Sequence, residues 1–328
     1  MSVVALALAA LLWGSAFYFG KVALAELTAV ELTAWRFALA IPLLVLLLLA
    51  RRAKRPTGRD VWLVVATGIL CVPVGYVVHF EGLARTTATH AALLVGAGPP
   101  LLAVAAALLG LERIRGRDWV AIALSCVGIV VMVGAPGSGG DLVGDALVLA
   151  SMLVATAWVL LGQHLTRRLG ALPATAWILI AGGVAFLPVL AVTGAPPVAL
   201  SAGTWAALAA LSLGSTVGAF LLWNWGAGRL PAGRAGVFLN LEPVAGALLG
   251  VGLLGEPFGL PLLAGGGIVL AAALLVSLPG GQPSASISSI ISRRRAAVRQ
   301  LRAVAATPSI DSTREASFER PKPSGVCR

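Results

Sequence analysis

One stretch of this chain occurs twice. Gly82-Leu83-Ala84-Arg85, running through Pro99 to Glu112, returns 144 positions later as Gly226-Ala227-Gly228-Arg229, running through Pro243 to Glu256. No gap is needed: Arg85 falls on Arg229, Ala91 on Ala235, Pro99 on Pro243 and Glu112 on Glu256. Each copy belongs to a set of five apolar runs of about 20 residues, long enough to cross a hydrocarbon core of ~30 Å. The ten runs lie near 3–25, 32–50, 61–80, 88–110, 118–135, 143–163, 173–193, 204–226, 235–254 and 258–278. Backbone polar groups in lipid must bond internally, so runs of this length are expected to be helices; barrel strands would be shorter and alternate. Five spans is an odd number, which sends the second copy into the bilayer from the opposite side. The expected fold is an all-α polytopic membrane protein of ten transmembrane helices in two inverted five-helix repeats.

Composition agrees. With 59% hydrophobic and 11% charged residues, the 328-residue chain is too apolar for a soluble domain. The first span has no basic segment before it and no clear cleavage site, so it reads as a retained helix rather than a signal peptide. The net charge of +11 reflects topology. If the N-terminus is cytoplasmic, 21 of the 24 basic residues fall in inner loops or the tail, the exceptions being Lys21, Arg36 and Arg85. That bias places both termini in the cytoplasm of a multi-pass cell-membrane protein and leaves no reason to expect a nucleic-acid partner. Outer loops carry acids instead, among them Glu26, Glu31, Asp141, Asp145 and Glu256. Cys71 and Cys126 sit in apolar spans and Cys327 in the tail, with no disulfide framework, metal site or cofactor motif.

The expected domains are residues 1–135, the first repeat; 143–278, the second; and 279–328, a basic cytoplasmic tail. Pro136-Gly137-Ser138-Gly139-Gly140-Asp141 is the linker between repeats. In the tail, Ile287, Ile290, Ile291, Val298, Leu301 and Val304 alternate with arginines, which fits either a basic helix on the anionic leaflet or a disordered segment. Pro99 and Pro243 hold equivalent places in spans four and nine, where each frees a backbone carbonyl and kinks its helix. Gly214 with Gly218, and Gly246 with Gly250, have the four-residue spacing that lets helices approach closely.

Several motifs carry a family resemblance: Trp13-Gly14-Ser15 with Lys21, Trp35-Arg36-Phe37, and Gly82 to Leu94 leading to Pro99 and Glu112. Leu239-Asn240-Leu241-Glu242-Pro243-Val244, leading to Leu254-Gly255-Glu256, completes the set. Over residues 3–278 the chain resembles the EamA family of the drug/metabolite transporter superfamily. The resemblance implies ten helices in two five-helix repeats and transport of small metabolites, often export of amino acids or related compounds. The tail departs from the family's usual short C-terminus.

An ionisable group at the centre of a membrane helix costs at least ~2.5 kcal/mol, so each one is a functional candidate. Glu242 lies about halfway along span nine, and its counterpart in the first repeat is Gly98. A buried carboxylate there is a candidate for coupling proton movement to substrate; the structural alternative is a carboxylate tied to a helix end. Asn240 lies nearly opposite on the helix. Lys21, on one face of span one with Gly14 and Tyr18, and Arg36, opening span two, are candidates for an anionic substrate group, or else pair with Glu26 or Glu31. Tyr76 and His79 lie in span three, followed by Glu81 and Arg85, which are spaced to pair. Trp13, Trp158, Trp177, Trp223 and Trp225 either line an apolar cavity or anchor interfaces, and Asn224 lies between two of them. Glu112 and Glu256 end matching helices and read as gating or stabilising acids. The substrate-binding set is thus Trp13, Tyr18, Lys21, Arg36, Tyr76, His79, Trp158, Asn224 and Asn240, with Glu242 for proton coupling and no catalytic or metal-binding group. No nucleophile with a base, no metal-ligand spacing and no phosphate-cradling loop argues for an enzyme or an ATPase. The expected activity is secondary active transport of small metabolites, with export of amino acids or related compounds, across the cytoplasmic membrane by alternating access, with the lipid bilayer and a small-molecule substrate as partners. A drug efflux carrier and a channel-like permease are the alternatives.

Overall fold

In the computed structural model, residues 1–109, 116–133, 140–230 and 232–277 are described, without the side chains of 106, 232–234, 276 and 277. They fall in one compact unit, Met1–Gly281. Glu112, most of the linker and the tail, including its candidate basic helix and Cys327, lie outside the described residues.

Among the described residues, nine helices are long and apolar enough to cross a membrane, and a tenth, shorter apolar helix covers Leu260–Leu275. Spans one and two are α1 (Ser2–Leu24) and α2 (Ala29–Ala50). Span three joins α3 (Arg59–Ile69) to α4 (Val77–Arg85) through a π-helical segment, Leu70–Tyr76. Span four is broken into α5 (Ala88–Val95) and α6 (Gly98–Leu108), and span five is α7 (Gly116–Val133). Span six is α8 (Leu142–Leu169), and span seven is α9 (Ala171–Ala185) with α10 (Leu187–Thr193). Span eight joins α11 (Ala202–Ala209) to α12 (Ala219–Ala227) through a second π-helical segment, Ala210–Gly218. Span nine is α13 (Ala232–Val237), a 3₁₀ turn at Phe238–Asn240 and α14 (Leu241–Leu254); α15 (Leu260–Ser277) ends the bundle.

The element boundaries repeat with the sequence. Shifted by 144, the bounds of α7 become those of α15. Both spans three and eight contain a π segment, and both spans four and nine break just before the matching prolines, Pro99 and Pro243. Packing follows the same exchange. Span one contacts spans eight and nine as span six contacts spans three and four. Span two meets span eight as span seven meets span three, while the pairs two–seven and five–ten are their own counterparts.

Close helix contacts depend on small residues. A Cβ added to Gly14 would stand 2.6 Å from both the Glu242 carbonyl oxygen and Ala245 Cβ, so α1 and α14 touch nearly backbone to backbone. Gly246 and Gly250 of α14 are crowded in the same way against α5, Ala92 meeting the first and Thr89 the second. Gly214 and Gly218 share that spacing, yet Leu12 stands at ordinary van der Waals distance from both, so their spacing does not mark a close crossing. Two apolar cores result. One gathers Phe17, Leu32, Phe80, Leu94, Met132 and Leu211, the other Phe37, Leu44, Val72, Leu165, Leu179 and Val217, and Tyr76 packs against both.

Gly14→Ala places a methyl group where α14 has no room. The expected result is a loss of about 1–3 kcal/mol, read as a lower thermal midpoint of the purified protein in detergent. Gly252→Ala, inside α14 where nothing lies within 4 Å, does not lower the midpoint.

Candidate functional site

Where the two cores meet, the helices bring polar groups together. Arg36 lies two turns into α2 and is 3% exposed. Its Nε donates to the Thr216 hydroxyl at 2.8 Å. The guanidinium carbon lies 4.6 Å from the centre of the Tyr76 ring and 5.7 Å from that of Phe80, within range of attraction to both ring faces. No carboxylate forms an ion pair with Arg36 among the described residues, and the two terminal nitrogens have no acceptor there. The pairing with Glu26 or Glu31 left open by the sequence is absent: Glu31 closes a capping box with Thr28, and Glu26 binds Ser201 and Thr204.

Tyr76 stacks edge-on with Phe37 at 5.2 Å and tilts against Phe80 at 6.2 Å. His79, one turn-side away on α4, packs against Phe17 at 5.7 Å and Phe80 at 5.6 Å. Its Nδ1 lies 3.2 Å from the Ser151 hydroxyl. The same hydroxyl lies 2.7 Å from the Val148 carbonyl.

Glu242 lies in the first turn of α14, just after the 3₁₀ break, where the helix dipole favours an anion. It is half-buried and acts electrostatically on Tyr76. Its carboxylate has no hydrogen bond or ion pair among the described residues. The cation and the acid therefore both bear on Tyr76.

One turn along α1 from Phe17, Trp13 packs at 5.4 Å against both Phe220 and Trp223, and Trp158 meets Phe220 at 6.4 Å. This aromatic cluster continues the polar one. The remaining candidates lie apart or turn away. Trp177 donates to the Lys54 carbonyl at 3.1 Å, and Trp225 is exposed under Arg229, which fits anchoring better than cavity lining. Asn224 folds back onto the Phe220 carbonyl at 2.7 Å, and the buried Asn240 donates to Val237 at 3.0 Å. Tyr18 packs on Phe19. Lys21 reaches the Ala84 carbonyl at 3.4 Å and interacts electrostatically with Glu256, far along α1 from Trp13.

The sequence reading passed over Thr216 and Ser151, which hold Arg36 and His79 in place. Neither hydroxyl stands out in a run of small residues; only the long-range packing picks them out. The acids at the helix ends are better defined. Glu256 accepts from the backbone N–H groups of Ala88 and Thr89 at 2.7 and 2.8 Å and from the Thr89 hydroxyl at 2.6 Å, capping α5. Asp145 accepts from Thr86 and faces His90 Nδ1 at 3.1 Å. Glu81 and Arg85 form the expected pair, at 4.0 Å. On α3, the buried Asp60 binds Arg168 at 3.0 Å with His164 at 3.5 Å.

Fold and site together define a polytopic helical membrane protein with charged groups enclosed among its spans. The chain belongs to the EamA-like transporter family, whose model matches residues 1–134 and again 142–278. Among its relatives, the uncharacterized transporter YdeK of Bacillus subtilis is 30% identical over 253 residues, covering 74% of this chain and 85% of that protein. An uncharacterized transporter of Archaeoglobus fulgidus is 29% identical over 272 residues, covering 81% and 95%. The uncharacterized transporter YetK of Bacillus subtilis is 27% identical over 265 residues, covering 78% and 80%. A crystal structure at 20% identity superposes with a TM-score of 0.60 over 90% of this chain and 98% of its own, a likeness of fold. The family is one of transporters, not of enzymes.

Glu26 gives a pH signature outside the spans. Hydrogen bonds from the Ser201 hydroxyl, the Ser201 backbone N–H and the Thr204 hydroxyl hold its carboxyl below the ordinary value of 4.5. A depressed carboxylate contributes stability above its unfolded value and loses it as pH falls through the folded one. The thermal-midpoint difference between wild type and Glu26→Gln is therefore flat above pH 4.5 and closes below it.

Proposed function

We propose that this protein is a secondary active carrier that exports amino acids or related small metabolites across the cytoplasmic membrane by alternating access, with proton coupling through Glu242. Membership of a transporter family supports the class. The exchange of packing partners between the first five spans and the last five supports an inverted repeat, since five spans per half reverse the second half. The basic loops support cytoplasmic termini.

The observation that carries the reading is Arg36. A guanidinium is always charged, and burial with one neutral hydrogen bond leaves most of its desolvation uncompensated. A carboxylate docking on its terminal nitrogens would supply a two-pronged, charge-assisted partner. Glu242 lies within electrostatic reach of the same tyrosine. Protonation and deprotonation there would alter the charge balance of the site as it turns from one side to the other.

The aromatic wall of Trp13, Trp158, Phe220 and Trp223 favours a second reading, a carrier of lipophilic cations with Glu242 as counter-charge.

A thermal-shift series on the purified protein separates them. A ligand present at ~100 times its Kd raises native stability by about 2.7 kcal/mol. L-amino acids are expected to stabilise the wild type while their amides do not, and Arg36→Gln abolishes the difference. Equal shifts from acids and amides sink the carboxylate reading, and stabilisation by hydrophobic cations alone moves the assignment to drug efflux. In proteoliposomes, Glu242→Gln is expected to uncouple transport from a pH gradient; full proton-dependent transport in that variant removes the coupling role.

A further inference from the structure

We propose that Thr216 is the positioning residue of the anion subsite. Its hydroxyl, oriented by the π-helical segment of span eight, holds the Arg36 guanidinium by Nε and leaves the terminal nitrogens free for an oxyanion. The proposal rests on reading Arg36 as the carboxylate anchor and names the residue that aims it.

The bonding around Thr216 is directional. Its hydroxyl has one proton, donated to the Leu211 carbonyl at 2.9 Å, five residues back. Outside this segment, threonine hydroxyls that bond a carbonyl of their own helix do so four residues back, as Thr33 does to Ala29, Thr67 to Leu63 and Thr166 to Gly162. The wider turn of the π segment, Ala210–Gly218, places the Leu211 carbonyl within reach of Thr216. With its proton committed, the oxygen faces Arg36 Nε with lone pairs only, at 2.8 Å. The ring faces of Tyr76 and Phe80 support the guanidinium without taking a conventional hydrogen bond. Both terminal nitrogens lack an acceptor among the described residues, yet neither is sealed from solvent-sized space, whereas His90 Nε2 is.

The internal repeat supplies the control. The 144-residue shift places Val72 where Thr216 stands, and the Thr33-Ala34-Trp35 match to Thr175-Ala176-Trp177 places Ile178 opposite Arg36. Val72 is 0% and Ile178 3% exposed, and both belong to one apolar core. In the other half the corresponding positions are therefore filled by two buried apolar side chains. The fold does not require a polar pair at these positions, and burying one costs free energy unless a ligand completes it. The polar pair is there for the cargo.

The experiment measures the orientation of Arg36 without knowledge of the cargo. Full-length protein in detergent is labelled with p-hydroxyphenylglyoxal, a dicarbonyl that reacts with the terminal guanidinium nitrogens, and the Arg36 peptide is quantified by mass spectrometry over time. Thr216→Val keeps the side-chain shape and removes the acceptor, so Nε must find another partner and carries the terminal nitrogens with it. Arg36 labelling is expected to slow roughly tenfold, the scale of a lost hydrogen bond to a charged group. Thr216→Ser keeps the acceptor and restores the wild-type rate, which separates aiming from filling of space. Thr216→Ala is the second acceptor-less variant should the valine protein not fold. Wild-type labelling in an acceptor-less variant, or equal slowing in the serine variant, overturns the proposal. A mixture of aliphatic and aromatic L-amino acids, set against the same mixture as amides, tests the underlying reading in the wild type. Protection by the acids alone supports it. Its absence overturns the carboxylate reading, and the subsite with it, whatever the Thr216 variants do.

Discussion

A backbone N–H or carbonyl left unbonded in hydrocarbon costs several kcal/mol, and every irregular turn in this bundle is arranged around that cost. Among the described residues the breaks lie at two π segments, the turns between α5 and α6 and between α9 and α10, and the 3₁₀ turn before α14. Side chains take up groups at two of them: Thr216 donates to the Leu211 carbonyl and Asn240 to that of Val237, while Ser215 of span eight reaches across to the Leu12 carbonyl of the unbroken α1. All three donors are buried. Irregular backbone is tolerated where protein surrounds it, and Tyr76, Thr216 and Glu242 all lie in or just after such segments.

Pairing the two copies position by position separates what the fold needs from what a ligand needs. Tyr76 falls opposite Phe220, and His79 opposite Trp223. The first-repeat members meet Arg36 and Ser151, while the second-repeat members stack on Trp13. Glu242 falls opposite Gly98. One backbone plan thus carries a polar, cationic cluster on one side and an aromatic cluster on the other. They lie one turn apart along α1, roughly 6 Å at 1.5 Å rise per residue. Symmetry of the helices does the packing, and departures from symmetry in the side chains create the site.

Much of this was legible in the chain. Apolar runs long enough to span hydrocarbon, with helix-breaking prolines at matched places, define the spans and their breaks because those signals are local. Arg36, Tyr76 and His79 were recognisable as charged or polar residues inside apolar runs, and the structure gathers them. What was not legible is non-local. Arg36 reads in sequence as a residue at the mouth of span two beside two acids, but Thr28 engages Glu31 and Ser201 engages Glu26, so the arginine turns inward. The π segments have no sequence signature beyond Pro73 and scattered glycines. Asn224, conspicuous between two tryptophans, bonds its own helix. The two four-residue glycine pairs look alike in sequence, and only the presence of a facing backbone distinguishes Gly246 and Gly250 from Gly214 and Gly218.

The ends of the bundle show how such a molecule can be both rigid and mobile. Four carboxylates tie the first five spans to the last five: Glu26 to Ser201 and Thr204, Asp60 to Arg168, Asp145 to Thr86, and Glu256 to Ala88 and Thr89. Glu26, Asp145 and Glu256 hold the start of a helix or the turn before it in the other half. Such bonds are worth about 1.5–3 kcal/mol each, and water or another N–H can replace them when they open. The apolar seams behave differently. Where Gly14 meets α14, the facing backbones leave no room to slide, and separating them would expose a packed interface. A motion that parts the packed helices would therefore break contacts at the polar ends first, while α1 and α14, which belong to different halves, stay together. The division between exchangeable polar ties and fixed apolar contacts is set by where the sequence places its few acids and its small residues.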